Sequence, residues 1–139
     1  MRRLARTFLP LTTAALIPPK RQRTMSAMAV TVGTHSGTFQ ADEALGVWLL
    51  RQLPQYATAP LTRSRDQATL DALTIVIDVG GTYDHGKLRY DHHQRGFFET
   101  IDGKVGEAQG PEEATGRFKT KLSASGLVYK PVSYTHLTL

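Results

Sequence analysis

An open, mostly parallel α/β sheet with flanking helices is the fold this sequence predicts, and three observations predict it. Residues 74–79 (Thr-Ile-Val-Ile-Asp-Val) form a continuous apolar run instead of an alternating one, the pattern of a strand buried on both faces of a parallel sheet. A β-branched segment at 29–33 precedes it, and a helix-periodic stretch at 41–53 lies between the two. Strand, helix, strand, helix, strand is then the order of elements, which crossover connections build into an α/β sheet.

Residues 29–33 (Ala-Val-Thr-Val-Gly) give a short first strand closed by glycine. The loop His35-Ser36-Gly37-Thr38-Phe39-Gln40 follows, with Ser36 or Thr38 available as a helix cap. The helix runs over 41–53 and stops before Pro54. Ala41, Ala44, Leu45, Trp48 and Leu49 share one face, and Val47, Leu50 and Leu53 widen it. That breadth predicts a helix buried on most sides, with Trp48 in the core. Residues 61–65 read as a second strand, 66–73 as a short helix or turn, and 74–79 as the central strand ended by Gly80 and Gly81. A further short strand at 87–90 delivers Asp91-His92-His93. Residues 100–120 have no period and read as a loop, after which 123–130 begins a helix that breaks at Pro131.

At 139 residues the chain has room for one domain. It contains no cysteine, which excludes disulfides, thiolate zinc sites and cysteine nucleophiles. Its net charge of +5 belongs to one end. Arg2, Arg3, Arg6, Lys20, Arg21 and Arg23 lie in residues 1–30, where there is no acid, and the remainder holds 11 basic and 12 acidic side chains. A phosphate-binding surface in the body must therefore come from local arrangement and not from bulk charge. The leader is Arg-rich and acid-free, with Leu4, Phe8 and Leu11 on one helical face, the composition of an organelle transit peptide. A basic tail or a nuclear signal at Lys20-Arg21-Gln22-Arg23 is the alternative, and a start at Met25 or Met28 would skip the leader and leave a cytoplasmic protein. The apolar run 11–17 is too short to span a bilayer, so no membrane partner is expected.

Ligands of doubly wound sheets gather beyond the carboxyl ends of the strands. Three segments of this chain converge there: His35 with Asp42 after strand one, Asp78 at the end of the apolar strand, and Asp91-His92-His93. Asp42 alone reads as a first-turn carboxylate favoured by the helix dipole. Asp78 carries more weight, because an acid at a buried strand end is costly unless paired or liganded. Imidazole with carboxylate suits Mn, Co, Zn or Mg, and the set is large enough for two ions roughly 3.5–4 Å apart.

These residues also carry a family resemblance. GTHSGTFQADEAL at 33–45 resembles the opening motif of the melanocyte proliferating gene 1 (Myg) family. LTRSRD at 61–66, Ile77-Asp78-Val79-Gly80-Gly81, YDHHQRGF at 90–97 and KLSASGLVY at 121–129 continue the resemblance in order. That family belongs to the DHH phosphoesterase superfamily, with RecJ-type exonucleases, type II pyrophosphatases and exopolyphosphatases. The resemblance implies that 29–130 is the N-terminal part of a DHH-type domain, preceded by the leader 1–28 and followed by a non-family tail at 131–139. It implies a 3'-5' RNA exonuclease dependent on a divalent metal, Mn(II) or alternatively Mg or Co, working in mitochondrion and nucleus on RNA or another phosphodiester. By position, His35, Asp42, Asp78 and His92 match metal ligands, His93 the phosphate contact or proton donor, and Asp91 the residue that orients its neighbours. Arg95 would pair with substrate phosphate, or with an acid of its own chain. Two departures stand out. Gln40 sits where the family has histidine, and the chain stops before the family's later motifs and second domain, so weak or absent activity is expected. A pyrophosphatase or polyphosphatase, or a non-catalytic partial product, are the rival readings.

Overall fold

The computed structural model describes residues 29–103 and 108–136, with side chains through Pro131; the leader 1–28 and residues 137–139 of the tail lie outside them. Among the described residues five short strands form one sheet: β1 (Val32–Thr34), β2 (Leu61–Arg63), β3 (Ile75–Ile77), β4 (Tyr83–Asp84) and β5 (Arg89–Tyr90). The spatial order is β2-β1-β3-β5-β4. β1 pairs parallel with β2 and β3, β3 parallel with β5, and only β4 runs antiparallel, against β5. The predicted open, mostly parallel sheet is the one observed. The two-residue β4 has no counterpart in the sequence reading, because it is too short to show a period.

The chain leaves β1 toward β2 on one side and returns to β3 on the other, so the strand order reverses between β1 and β3. A crevice at the carboxyl ends of the strands opens at such a reversal. Thr34 and Ile77, the last residues of those strands, lead straight into His35 and Asp78.

The apolar run of β3 is covered on both faces, as its lack of alternation predicts. Ile75 and Ile77 join Val32, Val47, Leu50, Ala124, Leu127 and Val128 in the main core, beneath helices α1 (Ala41–Arg51) and α3 (Ala124–His136). Leu70 of the short helix α2 (Gln67–Asp71) is buried outside that cluster. With Leu73 it lies against Gly33 on the second face. Asp66 caps α2 by accepting from the amide and hydroxyl of Thr69. The α2-to-β3 connection is held by Arg89, whose guanidinium donates to the carbonyls of Leu73 and Thr74.

Three expectations need correction. The buried face of α1 is Glu43, Gly46, Val47 and Leu50, while Leu45 is 48% and Trp48 57% exposed. Counting apolar side chains turned the helix by about one residue, because its packed face holds a carboxylate and a glycine. Ser36 and Thr38 do not cap α1, which starts at Gln40 without a side-chain cap. The helix after 123 does not stop at Pro131 but runs through it to His136. The proline ring removes one amide from the helix interior without ending it. Residues 100–120 contain no helix among the described residues, as expected, and a single bridge joins Phe98 to Ala108. No described helix is long and apolar enough to cross a membrane.

Gly46 sets how closely α1 approaches its neighbours. A β-carbon there would meet Ile77 Cγ2 at 3.0 Å and the Ser125 backbone at 3.7 Å. Gly46→Val is expected to destabilise the fold by about 2 kcal/mol through overpacking, read as a lower denaturation midpoint at unchanged slope.

Candidate metal centre

The centre is assembled by three loops at the carboxyl ends of β1, β3 and β5, with α1 closing one side. β1 delivers His35, which is 3% exposed, and its Nε2 lies against a carboxylate oxygen of Glu43 and 3.6 Å from Asp78 Oδ2. Glu43 is fully buried in the first turn of α1, and its other oxygen accepts from Arg63 Nη2 of β2 at 2.8 Å. Arg63 thus offsets part of the cost of a buried carboxylate from the neighbouring strand.

Asp78 sits at the middle of the group. Its backbone has φ +61°, the left-handed region that costs a non-glycine residue roughly 1 kcal/mol and that aspartate tolerates better than most. Its amide still extends the ladder by donating to Tyr90 O at 2.9 Å, so the bend begins at that residue. Gly80 and Gly81, also at positive φ, complete the turn. The carboxylate oxygen Oδ1 is 3.4 Å from His92 Nε2 and 3.7 Å from His93 Nδ1.

Asp91 organises the third loop from below. It is 2% exposed and accepts from the amides of Gly81, His92 and His93 and from the His93 ring at 2.6 Å. Burial alone would raise its pKa, but the bonds from His93 and Gly81 outweigh that and hold the carboxyl below its usual range. Asp42 is held low for the same kind of reason: burial opposes ionisation, and donors from Ser125, Ser123 and Ala124 overcome it. Those donors are the N-terminus of α3, so Asp42 caps a helix 81 residues away while its Oδ2 lies 3.7 Å from His92 Nε2.

The donor atoms fall into two sets that share Asp78: His35, Glu43 and Asp78, and Asp78, His92 and His93. Within each set the atoms lie within 4.8 Å of one another. His35 Nε2, Glu43 Oε2 and Asp78 Oδ1 are buried and carry no hydrogen bond. Buried polar atoms are normally satisfied, so buried donors clustered without hydrogen bonds, Asp78 Oδ1 toward His92 and His35 Nε2 against Glu43, fit a cation. The mixture of imidazole and carboxylate fits a divalent ion of the Mn, Zn or Mg type.

Of the residues named from sequence, His35, Asp78, His92 and His93 come together directly. Asp42 borders them but spends its lone pairs on α3. Asp91 lies beneath the loop. Arg95 is exposed and two residues beyond His93, with no acid partner among the described residues. Gln40 and Arg65 line the cleft of about 230 Å³ that opens over His35, Asp78 and His93. Sequence reasoning missed Glu43. Its signal is a second acid directly after Asp42, one position round the helix and therefore facing the sheet.

Asp78 is pushed the other way from its neighbours. Burial is the main cause and the Asp42 charge adds to it, with partial relief from His93, His92 and His35. The fold thus opposes ionisation of Asp78, a cost that appears as pH rises past the ordinary aspartate value and that a bound cation removes. Mn(II) binding is therefore expected to release protons in mildly acidic solution and to tighten as pH rises, which calorimetry in buffers of different ionisation enthalpy would show. Mn(II) affinity that does not change with pH would count against this imidazole–carboxylate donor set.

An open α/β sheet whose strand-order reversal carries a paired His/carboxylate donor set defines a protein with a candidate divalent-metal site at a sheet crevice. Residues 31–136 match the family described as Uncharacterised protein family (UPF0160), and the chain belongs to it. It is 46% identical over 112 residues to the MYG1 exonuclease of Homo sapiens, covering 81% of this chain and 28% of that protein. The MYG1 exonuclease of Bos taurus is 45% identical over 121 residues, 87% of this chain and 30% of the relative. The MYG1 protein of Dictyostelium discoideum is 46% identical over 101 residues, 73% of this chain and 27% of the relative. The chain thus spans less than a third of the length of these relatives. No solved structure matches it.

Proposed function

We propose that this chain is the metal-binding part of a divalent-metal-dependent phosphodiesterase that removes nucleotides from the 3' end of single-stranded RNA. The observation that carries the reading is Asp78, common to two donor sets at the crevice where the strand order reverses. The relatives named as exonucleases support the same class. A pair of divalent cations, Mn(II) first among them, would supply positive charge to a phosphoryl group and acidify a nearby water.

The chain's own residues do the rest. His35, Glu43, Asp78 and His92 would hold the cations. Asp91 fixes the orientation of the His93 ring through the 2.6 Å bond to Nδ1. That leaves the far nitrogen of a largely exposed ring to contact the phosphate or to protonate the departing oxygen. Arg95 stands near enough in sequence to pair with a substrate phosphate. Asp42 keeps α3 docked and adds negative charge beside His92. Residues 1–28 are the proposed organelle address, for mitochondrion or nucleus. The 139-residue chain alone is expected to turn over weakly or not at all, since it spans under a third of its relatives.

The test uses the protein at the length of its relatives with single-stranded RNA labelled at one end or the other. Manganese-dependent release of mononucleotides from the 3' end supports the reading. Release that persists in chelator, or cleavage of pyrophosphate alone, refutes it.

A further inference from the structure

Several cations in the body of the chain are committed to partners within it. Arg63 pairs with Glu43 and Lys87 with Asp84, Arg89 donates to a group of backbone carbonyls, and Lys130 donates to the carbonyls of Thr100 and Gly103. Arg117, Lys119 and Lys121 stand apart by lying together in one short run, and among the described residues none of them is paired with an acid. They occupy alternate positions of the run Arg117-Phe118-Lys119-Thr120-Lys121, all of it exposed, with Phe118 52% exposed.

The segment is nevertheless fixed in place. The amides of Arg117 and Phe118 donate to the Asp102 carboxylate, and Leu122 N donates to Glu99 O at 2.8 Å. Lys119 donates to Ala114 O, which uses one of its three protons. Residues 118–123 are neither helix nor turn.

The run leads to the metal centre. Lys121 Nζ lies 5.6 Å from the centre of the Phe97 ring, in the loop that carries His92 and His93. Two residues on, the Ser123 hydroxyl donates to Asp42 at 2.7 Å, and Asp42 is 3.7 Å from His92. Exposed cations without acid partners, a half-exposed ring stacked by Arg117 at 5.4 Å and a candidate metal donor set at one end match what a single polynucleotide strand presents: a charge per nucleotide, a flat base, and a phosphodiester to be cut.

We propose that residues 117–121 form a track for single-stranded nucleic acid, in which Arg117, Lys119 and Lys121 meet successive phosphates and Phe118 stacks on a base. The track deepens the exonuclease reading and rests on it for what happens at the far end. It also provides the local basic arrangement that a body of 11 basic and 12 acidic side chains does not supply in bulk.

The test is the affinity of the full chain for a fluorescein-labelled 12-nucleotide oligouridylate, by anisotropy in chelator, so that neither cleavage nor metal enters. Changing Arg117, Lys119 and Lys121 together to glutamine is expected to weaken binding at least tenfold. It should also flatten the dependence of log affinity on log salt by about 2, since each phosphate that the protein ceases to neutralise removes about 0.7 from the slope. Phe118→Ala is expected to weaken it about fivefold or more with the salt slope intact. Lys121→Gln alone, at an exposed side chain, guards against a triple variant that fails to fold, and should weaken binding in the same direction. Unchanged affinity in all three overturns the track. So does a Phe118→Ala variant with full affinity, or an equal loss toward dextran sulfate, since each reduces the segment to a charged patch. If the variants behave as expected while the relative-length protein fails to cut RNA, the exonuclease reading falls and the track stands. If RNA is cut but the variants bind as before, only the track falls.

Discussion

His92→Ala is expected to lower Mn(II) affinity by about 100-fold or more and, on the proposed function, to remove metal-dependent RNA hydrolysis from the protein at the length of its relatives. The ring nitrogen Nε2 lies between Asp78 and Asp42, 3.4 Å and 3.7 Å from their oxygens. Its lone pair is a donor that alanine cannot replace. Even residues that merely support a ligand cost about 10–100-fold in metal affinity when lost, so a direct donor sits at or above that range. His85→Ala is the matched comparison. His85 bonds the Tyr90 hydroxyl at 2.8 Å and belongs to neither donor set, so its loss should leave Mn(II) affinity alone. Calorimetric titration of both variants separates the two histidines. Equal affinity in His92→Ala and the parent would remove His92 from the centre.

Asp42→Ala has its largest effect on stability. The carboxylate accepts from Ser123 Oγ, Ala124 N and Ser125 N at 2.7–2.8 Å, and so ties the start of α3 to the start of α1. Losing a charged cap and leaving two helix amides without partners is expected to cost about 3 kcal/mol. The sign of the pH dependence follows from the depressed pKa of Asp42. Its contribution is complete above the ordinary aspartate range and disappears as pH falls through the lower, folded value. The gap in melting temperature between parent and Asp42→Ala should therefore be wide at neutral pH and close in acid. Asp42→Asn, which keeps an acceptor but not the charge, should fall between them. A gap that stays constant with pH would mean that the charge on Asp42 does not hold α3.

The parts of the fold that could be read from sequence are those where one side-chain pattern has one cause. The unbroken apolar run at 74–79 has no explanation except burial on both faces, and β3 is covered on both. The convergence of His35, Asp78 and His92 followed from a rule about strand ends, and their short distances agree with it. Trp48 was misplaced because an amphipathic count weighs only apolar residues, and the inward face of α1 includes Glu43 and Gly46. Glu43 itself escaped notice because an acid in a first helical turn already has a reason to be there. Its burial becomes intelligible only once Arg63 of β2 is brought alongside, which no local pattern reveals. Asp42 illustrates the same limit, since its carboxylate bonds a helix 81 residues further along the chain. The continuation of α3 past Pro131 likewise depends on what surrounds the helix and not on the proline.

Asp78 belongs to both donor sets, and two wells that share a wall cannot fill as strangers. The first ion to arrive would offset the burial that opposes the Asp78 charge and settle its carboxylate, preparing the other well, while its own positive charge repels a newcomer. Occupancy of the pair is thus a contest between preparation and repulsion. A titration curve that departs from two independent sites, in whichever direction, is the mark such an arrangement leaves.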